Sequence, residues 1–216
     1  MNIPFSVEQF FEVFALYNQS VWPMQIFLNL LALGAVGWLF QHYRWQSRLV
    51  SAVLSFFWAW MAIAYHFVFF TAINPAAWLF GVLFLAGAFW FAWTGVVRER
   101  LRFHLRSGIW GWIGGILIMF ALLIYPWLGY MLGHHYPAVP TFGLPCPTTI
   151  FTIGMLLFAA PPVPRSVFVV PLLWSAIGSI AAFQLGVFQD LGLLVAGLIG
   201  LAAVPYPRQR SNVGGL

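Results

Sequence analysis

The chain has no lysine, one cysteine and four acidic residues among its 216. Each shortage removes a class of function. Without lysine there is no amine for a Schiff base, which excludes a retinal-bound photoreceptor. A single cysteine, Cys146, permits no intrachain disulfide framework. The carboxylates Glu8, Glu12, Glu99 and Asp190 are scattered and offer no paired acid and base across a reacting bond. A glycine-rich phosphate loop and a Gly-x-Ser-x-Gly elbow are also missing, so no catalytic residues are expected and a non-enzymatic role is favoured. Charged residues make up only 6% of the chain, against about 25% in soluble domains. No polar shell can be built from so few.

What is present is apolar. Hydrophobic residues make up 62% of the chain, with 23 Phe and 12 Trp, and the mean hydropathy is +0.92. The sequence predicts an all-α, polytopic membrane bundle of about seven transmembrane helices, because a span needs roughly 20 apolar residues. The spans are expected near Val21 to Phe40, Leu49 to Phe70, Pro75 to Val97, Ile109 to Leu132, Pro147 to Ala160, Val167 to Gln184 and Asp190 to Val204. Residues 1–20 form an amphipathic interfacial segment, 21–207 the transmembrane domain and 208–216 a short tail. No cleavable signal peptide is expected, since the first twenty residues carry no Lys or Arg and no suitable apolar core.

The nine arginines occupy alternate gaps between the runs: Arg44 and Arg48, then Arg98 to Arg106, then Arg165, then Arg208 and Arg210. Cytoplasmic loops are enriched in Lys and Arg, which predicts an external N-terminus and a cytoplasmic C-terminus. The net charge of +5 is an orientation device, and no nucleic-acid partner is expected. Membrane lipids are the expected surroundings, and the Arg98–Arg106 cluster could meet anionic head groups. His42 and His104 fall in the same layer as solvated residues.

Ser6-Val7-Glu8-Gln9 spells a capping box, with Phe5 and Phe10 placed for a hydrophobic staple. Once depth is assigned, the polar residues collect in the outer half. Glu8, Glu12, Gln25, Asn29, Tyr65, His66, His134, His135, Cys146, Thr148 and Thr149 are the candidate lining of an outward-facing polar pocket. Interhelical hydrogen bonding is the competing explanation for each of them taken singly. The fifth run is only about 14 residues long, so Gly143 to Cys146 is expected to dip into the protein as non-helical chain. Cys146 with His66, His134 and His135 is the candidate for a soft metal ion, a weak pattern with no Cys-x-x-Cys or His-x-x-x-His spacing. No cofactor is required. Asn74-Pro75-Ala76 matches the aquaporin signature once where that fold needs two, and it reads as a helix start. Gly111 with Gly115, and Gly192, Gly197 and Gly200, would allow close helix contact, while Pro126 and Pro171 should kink their spans.

Ser6-Val7-Glu8-Gln9-Phe10-Phe11-Glu12-Val13-Phe14, continuing to Tyr17-Asn18 and Val21-Trp22-Pro23, resembles the opening of an uncharacterised bacterial multi-pass membrane family. Gly143-Leu144-Pro145-Cys146-Pro147-Thr148 resembles that family's second motif, and the resemblance runs over nearly the whole chain. It implies a bacterial inner-membrane protein and supplies no reaction. The leading expectation is a small transporter, channel or solute-binding membrane protein. The alternatives are a non-catalytic accessory subunit of a larger membrane complex, with homo-oligomers included, and a haem- or quinone-binding redox protein.

Overall fold

The computed structural model describes residues 4–204, and among them the named elements are helices, with no strand. In chain order they are α1 (Val7–Ser20), α2 (Met24–Trp38), α3 (Gln46–Ala72), α4 (Ala77–Val97), α5 (Ile109–Met131), α6 (Pro145–Leu156), α7 (Arg165–Leu185) and α8 (Phe188–Ala203). A helix stands at each position where a span was expected. Four of them, α3, α4, α5 and α7, are long and apolar enough to cross a membrane, and α1 with α2, bent by 85°, would make a broken fifth. At 1.5 Å per residue the 21 to 27 residues of those four cover about 31–40 Å.

The two remaining helices, α6 and α8, are shorter, and α6 is the informative one. Its 12 residues cover only about 18 Å, but nearly every one is buried on all sides by α5, α7 and α8. A helix enclosed by protein touches little lipid and has no need to match the hydrocarbon thickness. Of the stretch expected to be non-helical, Gly143 and Leu144 are so and are buried, whereas Pro145 and Cys146 already form the first turn of α6, where proline's missing N–H has no intrahelical partner to lose. On the far side Ala160 N–H donates to Arg102 O (2.7 Å) and His104 N–H to Phe158 O (3.3 Å). The arginine-bearing segment thus folds inward over the end of α6, with Leu101 and Phe103 buried while Arg102 and His104 stay exposed.

Close packing around α6 depends on small residues and rings. Trp58 Nε1 donates to Thr152 Oγ1 (3.2 Å), and Phe57, Phe142 and Phe151 form an edge-to-face cluster. Two helix backbones approach closely at Gly114 of α5 and Gly154 of α6, where a Cβ on Gly154 would lie 3.0 Å from Gly114 O. Of the glycines expected to make contacts, Gly192, Gly197 and Gly200 do abut neighbouring side chains. Gly115 does not, since a Cβ there would meet nothing within 4 Å, and Gly111 sits under Arg106 O.

Three of the four long apolar helices contain π-helical turns: Met61–Phe67 in α3, Ala92–Val97 in α4 and Phe120–Ile124 in α5. The last ends just before Pro126, which lacks an N–H and crowds the carbonyl four residues back, so the widened turn absorbs its defect. Pro171 falls in the first turn of the Val169–Leu185 α-helical stretch of α7, where a missing N–H costs little.

Candidate functional site

The N-terminal helix begins as its sequence predicts. Ser6 Oγ accepts from Gln9 N–H (3.2 Å), and Gln9 Oε1 accepts from Ser6 N–H (2.9 Å). Phe5 stacks on Phe10 with ring centres 5.8 Å apart. Glu8 in the first turn is exposed, and hydrogen bonds from its own backbone N–H and from Ser6 hold its carboxyl below the usual range.

The far end of α1 grips the connection between α5 and α6. Asn18 is fully buried, and its Nδ2 donates to both Pro137 O and Val139 O at 2.7 Å. Its Oδ1 accepts from Thr141 Oγ1 at 2.7 Å. Gln25 Nε2 caps the arrangement by donating to Asn18 O (2.8 Å). One residue earlier, the Tyr17 hydroxyl accepts from Trp60 Nε1 (2.7 Å) and reaches Gly143 O at 3.5 Å. Gly143 has φ +101°, and a Cβ there would stand 2.4 Å from Leu28 Cδ1, so both conformation and space call for glycine. Its N–H donates to Thr148 Oγ1 (3.0 Å), which closes the turn into α6. The Tyr17-Asn18 pair and the Gly143–Thr148 segment are 126 residues apart at their closest bond and form one packed unit.

This unit walls a cavity of about 350 Å³. Phe5, Phe10 and Phe14 of the N-terminal segment close one side, Tyr65, Phe70 and Phe80 another, and Trp174 with Ile177 and Gly178 of α7 a third. Leu144, Pro145 and Cys146 supply the floor. Into this mostly aromatic space projects Asp190, 4% exposed, at the start of α8. Asp at a helix N-cap normally accepts from the helix's own N–H groups, but Asp190 makes no such bond. Its carboxylate turns inward, where it accepts a hydrogen bond from the Tyr125 hydroxyl and stands within hydrogen-bonding reach of the Cys146 thiol. No cationic side chain among the described residues pairs with it. Trp174 Nε1, in the same wall, is buried without a hydrogen-bond partner. The π-helical turns matter here: the first carries Tyr65, and the third delivers Tyr125 at its end.

Of the residues predicted to line the site, the structure brings Tyr65 and Cys146 to this cavity. Its wall is apolar and aromatic rather than polar, because most of the other candidates spend their polar groups on structure. Glu8 and Glu12 are exposed on α1. Gln25 serves the Asn18 clamp, and Asn29 Nδ2 donates to Gln25 O (2.8 Å). Thr148 closes the Gly143 turn, and Thr149 is buried beside it with an unpartnered hydroxyl. His66 lies behind the wall, enclosed by the rings of Tyr65, Phe70, Phe80, Phe84 and Trp174, with neither nitrogen hydrogen-bonded. His134 stacks on Phe11 at 4.3 Å, while His135 is exposed against Tyr130. Partial burial, then the neighbouring His135, hold His134 below the ordinary imidazole range. Cys146, His66, His134 and His135 are therefore spread over separate surroundings, and among the described residues no three His, Cys, Asp or Glu side chains converge.

The residue that sequence reasoning missed is Asp190. A signal existed, since it is the one acidic residue opening a late apolar run with no arginine beside it. An ionisable group at such a place is a functional candidate by default, but its fit to a helix start offered a simpler explanation. Tyr125 and Trp174 carried no comparable signal among so many aromatics.

A family model described as a family of unknown function (DUF6064) matches residues 7–213. No curated protein and no solved structure matches the chain.

Proposed function

We propose that this chain, which belongs to the DUF6064 family, is a bacterial inner-membrane protein that binds, and by this binding moves or senses, a small lipophilic organic cation. The N-terminus faces outside, the arginine-bearing end faces the cytoplasm, and all seven expected helices take part in the membrane domain. The alternation of arginines supports that orientation. With that orientation the Asp190 cavity lies on the outer side.

One observation carries the ligand class: a carboxylate buried in an aromatic cavity with no cationic partner among the described residues. A buried charge is costly unless paired. An ammonium group supplied by the ligand would provide that pair, and the faces of Trp174, Tyr65, Phe70 and Phe80 attract the same cation through their quadrupoles. Cys146 then serves as a small polarizable neighbour of the carboxylate.

The test uses a pair of ligands matched in shape and differing in charge, benzyltrimethylammonium and neopentylbenzene, titrated into the detergent-purified protein by calorimetry. The cation is expected to bind at least about tenfold more tightly than its neutral isostere. Asp190→Asn keeps the size of the side chain and its acceptor for Tyr125, and it is expected to erase that preference. Equal affinity for the two ligands in the wild type, or an undiminished preference in Asp190→Asn, would overturn the reading.

A further inference from the structure

A second and larger opening lies at the other end of the bundle, between α2 and α5. It encloses about 720 Å³. α2 packs along α3 and leaves this side unclosed. Its sides are apolar, with Leu33 on α2 and Phe40 just beyond the end of α2 across from Trp112 and Met119 on α5. Those four side chains are also exposed on the outer surface of the bundle, Trp112 by 74%. Gly115 deepens the trough, and the space above it is empty, because a Cβ there meets nothing within 4 Å. Its smallness serves no contact among the described residues.

The chemistry changes at one end of the trough. Arg106, half-buried, stands there with Ser107 and Gly108. Arg106 pairs with no carboxylate among the described residues, whereas Arg48 is matched with Glu99 at 3.2 Å. The surrounding end of the molecule carries Arg44, Arg98, Arg100, Arg102 and Arg165 as well, against Glu99 alone. An apolar channel of acyl-chain character thus runs to an unneutralised guanidinium at the head-group level.

We infer that the α2–α5 groove is a binding site for an anionic phospholipid, with one acyl chain laid between Leu33 and Trp112 over Gly115 and the phosphate held by Arg106. Charge complementarity selects the occupant. A zwitterionic lipid fills the same volume but brings no net negative charge to the basic rim. The guanidinium presents a planar fork that suits phosphate oxygens. The inference is independent of the Asp190 cavity, which opens at the opposite end of the bundle.

The experiment is native mass spectrometry of the protein released from nanodiscs made of equal parts phosphatidylglycerol and phosphatidylcholine. Wild type is expected to retain one phosphatidylglycerol about five- to tenfold more often than phosphatidylcholine. Excess free glycerol phosphate should leave that lipid in place, because the acyl chain supplies part of the hold. Two variants probe the two halves of the site. Arg106→Gln is expected to remove the preference while keeping some lipid bound. Gly115→Leu, filling empty space without touching the core, is expected to remove the bound lipid itself. Equal retention of the two lipids by wild type, or a preference unchanged in both variants, sinks the proposal. So does a dimer that Gly115→Leu abolishes, since that would put a second copy of the chain in the groove.

Discussion

Replacing Asn18 by alanine is expected to destabilise the protein by roughly 2–4 kcal/mol, because one buried and two partly buried groups lose a hydrogen-bond partner at once. Pro137 O and Val139 O both accept from its Nδ2, and Thr141 Oγ1 donates to its Oδ1. Each buried polar group left unsatisfied costs about 1–3 kcal/mol. The decisive variant is Asn18→Asp. It preserves shape and still accepts from Thr141, but it places a carboxylate oxygen where an N–H₂ group now donates to two carbonyls. It should therefore be at least as damaging as alanine. The measurement is the thermal unfolding midpoint in detergent, read by intrinsic tryptophan fluorescence. A wild-type midpoint for Asn18→Asp would remove the clamp from the account. The cation affinity of whatever folded Asn18→Ala protein remains should also fall, since the clamped segment leads directly into Leu144, Pro145 and Cys146 of the cavity floor.

The second large effect is expected at Gly154. A Cβ on this residue would lie 3.0 Å from Gly114 O and 3.2 Å from Ile118 N, and one on Gly114 would lie 2.9 Å from Gly154 O. These are backbone atoms of two packed helices, and no side chain can rotate away to make room. Gly154→Val must therefore separate α5 from α6 and disturb the centre of the bundle. Overpacking of this kind costs about 3 kcal/mol or more when the backbone is the obstacle. Loss of the monodisperse peak in size-exclusion chromatography is the expected result. Gly115→Leu, on the same helix but over open space, is the control and should change stability by no more than about 0.5 kcal/mol. If the two variants behave alike, the close approach of α5 and α6 is not what holds the core.

The sequence announced its helices clearly and its site poorly, and the reason can be seen residue by residue. The capping box at Ser6 and Gln9 is a local device four residues long, and it forms as spelled. Hydropathy is also local, so each apolar run became a helix. The polar residues within those runs were harder to read. Gln25, Asn29 and Thr148 looked like a pocket lining, yet each bonds to backbone or to a clamp within the protein. Polarity alone does not tell which groups are already satisfied, because their partners arrive from distant chain. Asp190 shows the converse. It looked satisfied as a helix start, but its carboxylate turns toward Tyr125, 65 residues away. The shortness of the 145–156 run raised the question of missing membrane depth, and burial on all sides answered it.

A family resemblance singled out the Tyr17-Asn18 and Gly143–Thr148 segments, and the sequence by itself determined the all-helical class, the positions of the helices and the charge asymmetry of the two ends. These follow from composition and short-range pattern, which any stretch of chain carries within itself. Only the tertiary structure decided that those segments interlock, that α6 is an enclosed central helix, and that Asp190 stands in an aromatic cavity while Arg106 heads an open groove. Such facts depend on which helix faces meet across more than a hundred residues of chain, and hydropathy, being blind to partners, cannot specify them.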